Sequence, residues 1–302
     1  MIRRYGLFVL VAILGIAAGA RDGLDAWVEA TEIPSVLIET SVEVRDRDGL
    51  LMRVFPVEDG RVRLALALSD VDADYIAMLI AYEDKRFYQH NGVDTLAALR
   101  ATAQAAWNGQ VVSGGSTLTM QVARLLENSG TGRWQGKLRQ IRLALALERR
   151  LSKKQILEIY LTHAPFGGAV EGVRAGSLAW FGKEPARLTM AEAALLVALP
   201  QSPESSRPDR HPNAAQTART RVLDRVKAPE QTRSAAVPQK MKPFVRLAPH
   251  LADQMRRDDP LTARHDLTLD ARLQTQIEDL ARRAVKNQAQ GVSAAIVIAD
   301  HQ

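Results

Sequence analysis

The sequence predicts a mainly α protein with an N-terminal membrane helix, a small β-hairpin and a truncated α+β stub at its C-terminal end. Three observations predict it. Apolar residues recur at helical spacing from about residue 70 to 227, two short alternating runs flank an Asp-Gly turn, and an uncharged run extends from Tyr5 to Ala20.

Arg3 and Arg4 precede the uncharged run and Arg21-Asp22 closes it. A basic flank before an apolar segment marks insertion with the N-terminus in the cytoplasm. The run is shorter than the roughly 20 residues that span a bilayer comfortably. Ala18-Gly19-Ala20 has the small residues of a cleavage site, so an anchor and a removable signal peptide both stay open. On either reading the rest of the chain works outside the cytoplasm. The expected division is a cytoplasmic tip and membrane anchor over 1–22, a main domain over 40–227, a linker over 228–266 and the start of another domain over 267–302.

Val42 to Arg45 and Leu50 to Val54 flank Asp46-Arg47-Asp48-Gly49, which reads as a hairpin. Asp70 and Asp72 are caps for a helix with Ile76, Leu79 and Ile80 on one side. Further helices are expected from Asp94 to Trp107, Thr117 to Glu127 and Lys137 to Arg150. Ser152-Lys153-Lys154-Gln155 and Thr189-Met190-Ala191-Glu192 are capping boxes that open two more. The second of these is very apolar and stops at Pro200. Asn213 to Lys227 and Ala271 to Asn287 also read as helices, and Val292 to Ala299 as a β-prone run.

The formal charge of +6 and absence of cysteine narrow the chemistry. A basic chain favours an anionic partner, and export argues against nucleic acid. Disulfides and thiolate metal sites are excluded.

Glu83 lies seven, four and three residues after Ile76, Leu79 and Ile80, on the apolar side at the end of its helix. Helix-end carbonyls and partial burial both disfavour its charge, as suits a general base or acid. A plain helix-end carboxylate, solvated or paired with Lys85 or Arg86, fits the same spacing. Asp84 adjoins it, His90 is a second titratable group, and Phe87 suits either packing or stacking. The second constellation runs from Gly114-Gly115-Ser116-Thr117 to Gln121 and Arg124. Its glycines and helix start suit close approach to an anion, and Thr117, Gln121 and Arg124 form one polar stripe. The third is the basic helix with Lys137, Arg139 and Arg142, then Arg149, Arg150, Lys153 and Lys154. These cations suit a diphosphate, or simply a solvated or lipid-facing surface. There is no HExxH pair and no nucleotide P-loop.

Taken together, these segments resemble the family 51 peptidoglycan glycosyltransferases, the polymerising domain of class A penicillin-binding proteins. The resemblance runs in order through Glu83 to Gly92, Gly114 to Arg124, Leu147 to Leu161, Ala179 to Lys183 and Ala194 to Gln201. His163 to Gly168 and Arg207 to Pro212 are similar to the 1C branch in particular. The resemblance implies a lysozyme-like glycosyltransferase domain over 40–227, acting on lipid II and the nascent glycan strand at the cytoplasmic membrane. By the same analogy Glu83 is the catalytic base. Asp84, Phe87, His90, Ser116, Thr117, Gln121, Arg124 and Lys137 bind substrate, and a divalent ion such as Mg2+ assists through unidentified ligands. The implied location is the bacterial inner membrane, single-pass, with the domain on the periplasmic face and other cell-wall synthesis proteins as partners.

Two departures stand out. Gln140 occupies the place of a second glutamate usual in the family, and Glu204 stands where a serine is common. The Ser-x-x-Lys, Ser-x-Asn and Lys-Thr-Gly motifs of a transpeptidase do not occur, and residues from about Leu267 look like the lead-in to that domain. No peptide cross-linking or covalent penicillin binding is therefore expected.

Overall fold

The computed structural model describes residues 2–108, 115–127, 134–286, 292 and 294–298. In chain order the helices are α1 Ile2–Glu29, α2 Ala73–Glu83, α3 Thr95–Asn108, α4 Leu118–Glu127, α5 Trp134–Arg150, α6 Lys153–His163, α7 Val173–Phe181, α8 Met190–Ala198, α9 Pro212–Arg225, α10 Pro249–Asp258 and α11 Ala271–Val285. The strands are β1 Val42–Arg45, β2 Leu51–Phe55, β3 Val62–Arg63, β4 Val170–Glu171 and β5 Arg264–Asp266. Gly114, at the start of the second constellation, lies outside the described residues.

The Tyr5–Ala20 run forms part of α1, but no helix among the described residues is long and apolar enough to cross a membrane. Its uncharged part spans only about 24 Å at 1.5 Å per residue, against a hydrocarbon core of about 30 Å. The charged remainder of α1 docks instead on α5. Arg142 lies 5.1 Å from the centre of the Trp27 ring and donates to the Trp27 carbonyl at 2.8 Å. Arg149 pairs with Asp25. Two cations of the basic helix are thus spent on α1.

Local sequence explains most helix starts. The Asp72 carboxylate accepts from Asp74 N and Tyr75 N at the head of α2. Ser152 with Gln155 and Thr189 with Glu192 close both expected capping boxes. Replacing Ser152 with Ala should cost about 1 kcal/mol, the usual worth of such a cap, read from the midpoint of urea unfolding. The main core forms around α8, where Ala191 and Ala193 to Ala198 are buried against α2, α7 and α9.

Helix α7 was not expected from sequence, and glycine makes its entry possible. Gly172 has φ +82°, and a Cβ there would sit 2.7 Å from the Thr162 carbonyl oxygen. Gly172→Ala should therefore destabilise the protein by about 1–3 kcal/mol, measured by the same unfolding transition. The two segments that carried the 1C likeness meet nearby. The Gly167-Gly168 turn lies against Arg207, and Gly168 N donates to Glu204 at 2.6 Å. That hydrogen bond, with Arg207 and Arg210 close by, holds the Glu204 carboxyl below its ordinary range. Glu204 is here a partner of that turn.

The hairpin forms as expected, with Val42 opposite Phe55, but it does not stand alone. β5 adds in parallel beside β1, giving the order β2-β1-β5. Val44 and Met52 of the hairpin share a small core with Leu247, Ala252, Leu267 and Ala271. The expected linker 228–266 therefore contributes a helix that covers one hairpin face and a strand that pairs along its edge. A bare two-stranded hairpin is marginal in water, which is the physical reason for the cover. In the C-terminal stub, residues 292 and 294–298 carry no regular structure, in place of the expected strand.

Candidate active site

α2 ends at Glu83. Tyr75, Met78 and Leu79 bury the apolar side of that helix, leaving the Glu83 carboxylate half-buried. Two amides clamp it. Gln121 Nε2 of α4 donates to Oε2 at 2.7 Å, and Gln201 Nε2, just beyond α8, donates to Oε1 at 2.7 Å. Burial pushes the Glu83 pKa above the ordinary carboxylate value; the two amides and the more distant Arg225 and Arg124 only partly offset this. The result is a carboxylate poised to take a proton.

Glu83 stands beside two hollows. One, of about 940 Å³, is lined by Glu83 with Arg100, Ser116, Thr117, Arg225 and Lys227. The other, of about 590 Å³, is lined by Arg61, Arg63, Arg124, His163 and Gln201. Gln201 thus links the base to the second hollow. Both walls are rich in cations, which suits ligands carrying phosphate. Lys137 Nζ donates to Ser116 Oγ. Burial, with Arg124 nearby, lowers the Lys137 pKa.

The other expected site residues divide into two groups. Ser116, Gln121, Arg124 and Lys137 converge around Glu83 and the hollows. Asp84, Phe87 and His90 are buried, and Asp84 also lines the first hollow. His90 Nε2 lies 2.9 Å from Asp84 Oδ1, while Leu118 N donates to Asp84 Oδ2 at 2.9 Å. Asp84 thereby ties the end of α2 to the start of α4. Phe87 packs under Lys153, whose Nζ lies 4.5 Å from the ring centre. Thr117 is also buried, donating to the Gly92 carbonyl and accepting from Met120 N at the head of α4. Phe87 and His90 thus hold the site together from behind, while Asp84 and Thr117 also face the first hollow.

Gln140 is buried on the α5 stripe with Gly136, Leu143, Ala144 and Leu147. A glutamate there would bring a charge into that stripe, and the amide avoids its desolvation cost. Arg100, Arg225 and Lys227 escaped the sequence reading, and Gln201, which ends the last resembling segment, was given no role there. Arg225 closes α9, where cations favour the helix terminus, and Lys227 follows it with φ +56°. A non-glycine residue in that left-handed region beside a hollow is the signal that could have marked this corner.

The groove does not fit a metal ion. Its carboxylates are all engaged: Glu83 by two amides, Asp84 by His90 and Leu118 N, and Asp94 by Arg86 and Ala97 N. Among the described residues no three His, Asp or Glu side chains converge as ligands.

The transglycosylase family model matches residues 48–227. Penicillin-binding protein 1C of Escherichia coli is 41% identical over 265 residues, covering 84% of this chain and 34% of that protein. Penicillin-binding protein 1A of Pseudomonas aeruginosa is 33% identical over 193 residues, covering 64% of this chain and 23% of its own length. Penicillin-binding protein 1A of Escherichia coli is 30% identical over 228 residues, 74% of this chain and 26% of that one. The chain thus spans about a third or less of the length of these relatives. Because the family match runs from the hairpin turn through the end of α9, across more than half the sequence, the chain belongs to the transglycosylase family and is a glycosyltransferase.

Proposed function

We propose that this chain polymerises lipid II into β-1,4-linked glycan strands, with release of undecaprenyl diphosphate. The observation that supports this most directly is the Glu83 carboxylate, held by two neutral amides between two cation-lined hollows. In the proposed reaction Glu83 removes the proton from the 4-hydroxyl of the acceptor sugar. That oxygen attacks the anomeric carbon of the lipid-linked donor, and the bond to the α-linked diphosphate breaks. The leaving diphosphate takes the electron pair, and the new linkage forms with inversion. Arg124 in one hollow, and Arg100 and Arg225 in the other with Lys137 behind Ser116, neutralise phosphate charge. No step is assigned to a metal ion.

A lipid-linked substrate places the work at the outer face of the cytoplasmic membrane. Transpeptidation is not part of the proposed activity. The test is polymerisation of fluorescent lipid II by detergent-solubilised protein, with product resolved by gel electrophoresis. Release of soluble fragments from purified cell wall, without consumption of lipid II, would replace polymerisation by glycan cleavage.

The amide clamp gives this reading a pH signature. Activity needs ionised Glu83, so the rate should fall as pH drops through its raised pKa, above the ordinary value of about 4.3. Gln201→Leu removes a donor that favours the carboxylate and should move this acid limb to higher pH. An unmoved limb in a rate–pH profile would remove Gln201 from the clamp.

A further inference from the structure

A separate cavity of about 430 Å³ lies where the N-terminal end of α8 meets α7, α9 and the segment 235–242. The length of α8 separates it from Gln201. Trp180, Phe181, Leu195 and Val237 give it apolar walls, and Arg219 and Lys240 bring positive charge.

Arg219 is the unusual member. It is only 1% exposed. Its Nη2 donates to the Arg233 carbonyl at 3.1 Å, but its Nε has no hydrogen-bond partner. It forms no ion pair with the described residues. A buried charge is costly unless paired, and guanidinium groups find carboxylates for that reason. Other buried arginines in this chain obey the rule: Arg63 has Glu171, Arg174 has Glu43, and Arg207 has Asp209. Burial without a counter-charge also lowers the Arg219 pKa. Glu192, on the same wall, does not serve. Its carboxylate is engaged by Lys183 at 2.6 Å and by Thr189 N at 2.7 Å.

We propose that this cavity binds an organic carboxylate, whose anionic group pairs with Arg219 and whose short apolar body rests on Phe181 and Val237. The apolar wall and the nearby Glu192 disfavour a compact, multiply charged ion such as phosphate. Small apolar pockets with a few convergent polar groups are the usual form of such sites. The carboxylate comes either from a free small molecule or from the C-terminal residue of a peptide.

The test uses the full chain and the Nε–Hε resonance of Arg219, assigned by its disappearance in Arg219→Met. Hexanoate, as the free acid, and N-acetyl-leucine, as the peptide terminus, are titrated in parallel, with hexanamide and inorganic phosphate as controls. Saturable shifts with either carboxylate and none with hexanamide are expected, and the tighter of the two acids identifies the source. Arg219→Met should weaken carboxylate binding by about tenfold or more, read from ligand-observed spectra. Should that variant not fold, Arg219→Lys supplies both the assignment and the comparison. Equal shifts with hexanamide, equal or larger shifts with phosphate, or no shift at any soluble concentration would each overturn the proposal.

Discussion

Glu83→Gln is expected to lower the rate of lipid II polymerisation by about 10²–10⁴-fold, the range a positioned general base contributes. The substitution keeps shape and volume and removes the ability to accept the proton. One clamp amide can still donate to the new amide oxygen, while the other must turn its own oxygen towards the new Nε2. Folding should not suffer. The folded-state pKa of Glu83 is raised, so its ionisation opposes folding as pH rises through that value. A neutral glutamine lacks this penalty, and the variant should melt no lower than wild type at neutral pH. Polymer yield equal to wild type would end the assignment of Glu83 as the base. A lower Tm would instead mean that the clamp depends on the charge.

Trp180→Ala should produce the largest loss of stability, about 3–5 kcal/mol, as for other fully buried aromatic side chains. Trp180 is 1% exposed in the core cluster shared by α7 and α8. Its Nε1 donates to the Phe166 carbonyl at 2.9 Å. Truncation leaves a cavity and also an unpaired carbonyl. At about 2–4 °C per kcal/mol, Tm should fall by roughly 10 °C. Calorimetry on the solubilised chain checks it, and a drop of only a degree or two would mean that the core closes over the gap.

What could be read from the sequence was mostly local. Asp72, Ser152 and Thr189 announce helix starts through side chains that bond to amides two or three residues away, and all three do so. Glu83 was legible because its spacing from Ile76, Leu79 and Ile80 fixes its side of α2. Its clamp was not, since Gln121 lies 38 residues away and Gln201 118. Those distances close only through tertiary packing, and no periodicity reports them. Motif order placed Asp84, Phe87 and His90 near the site but could not tell front from back. The structure buries all three, with Asp84 fastening α2 to α4 while also lining the first hollow. α7 was missed because it is buried on nearly all sides, which leaves no polar face to give it a period.

The pairing of β5 with β1 has a kinetic consequence. Asp46 Oδ2 accepts a hydrogen bond from Ala271 N, a partner 225 residues further along the chain. Loop-closure entropy must be met before such a contact gives anything back, so parallel pairings of this span form late. During synthesis the hairpin emerges early and waits, one apolar face open, while the whole helical core is made. The helices can consolidate through shorter-range contacts in the meantime. The small sheet is thus the last part of the protein to close, and the interval before it closes is when the chain is most exposed to mispairing with another copy.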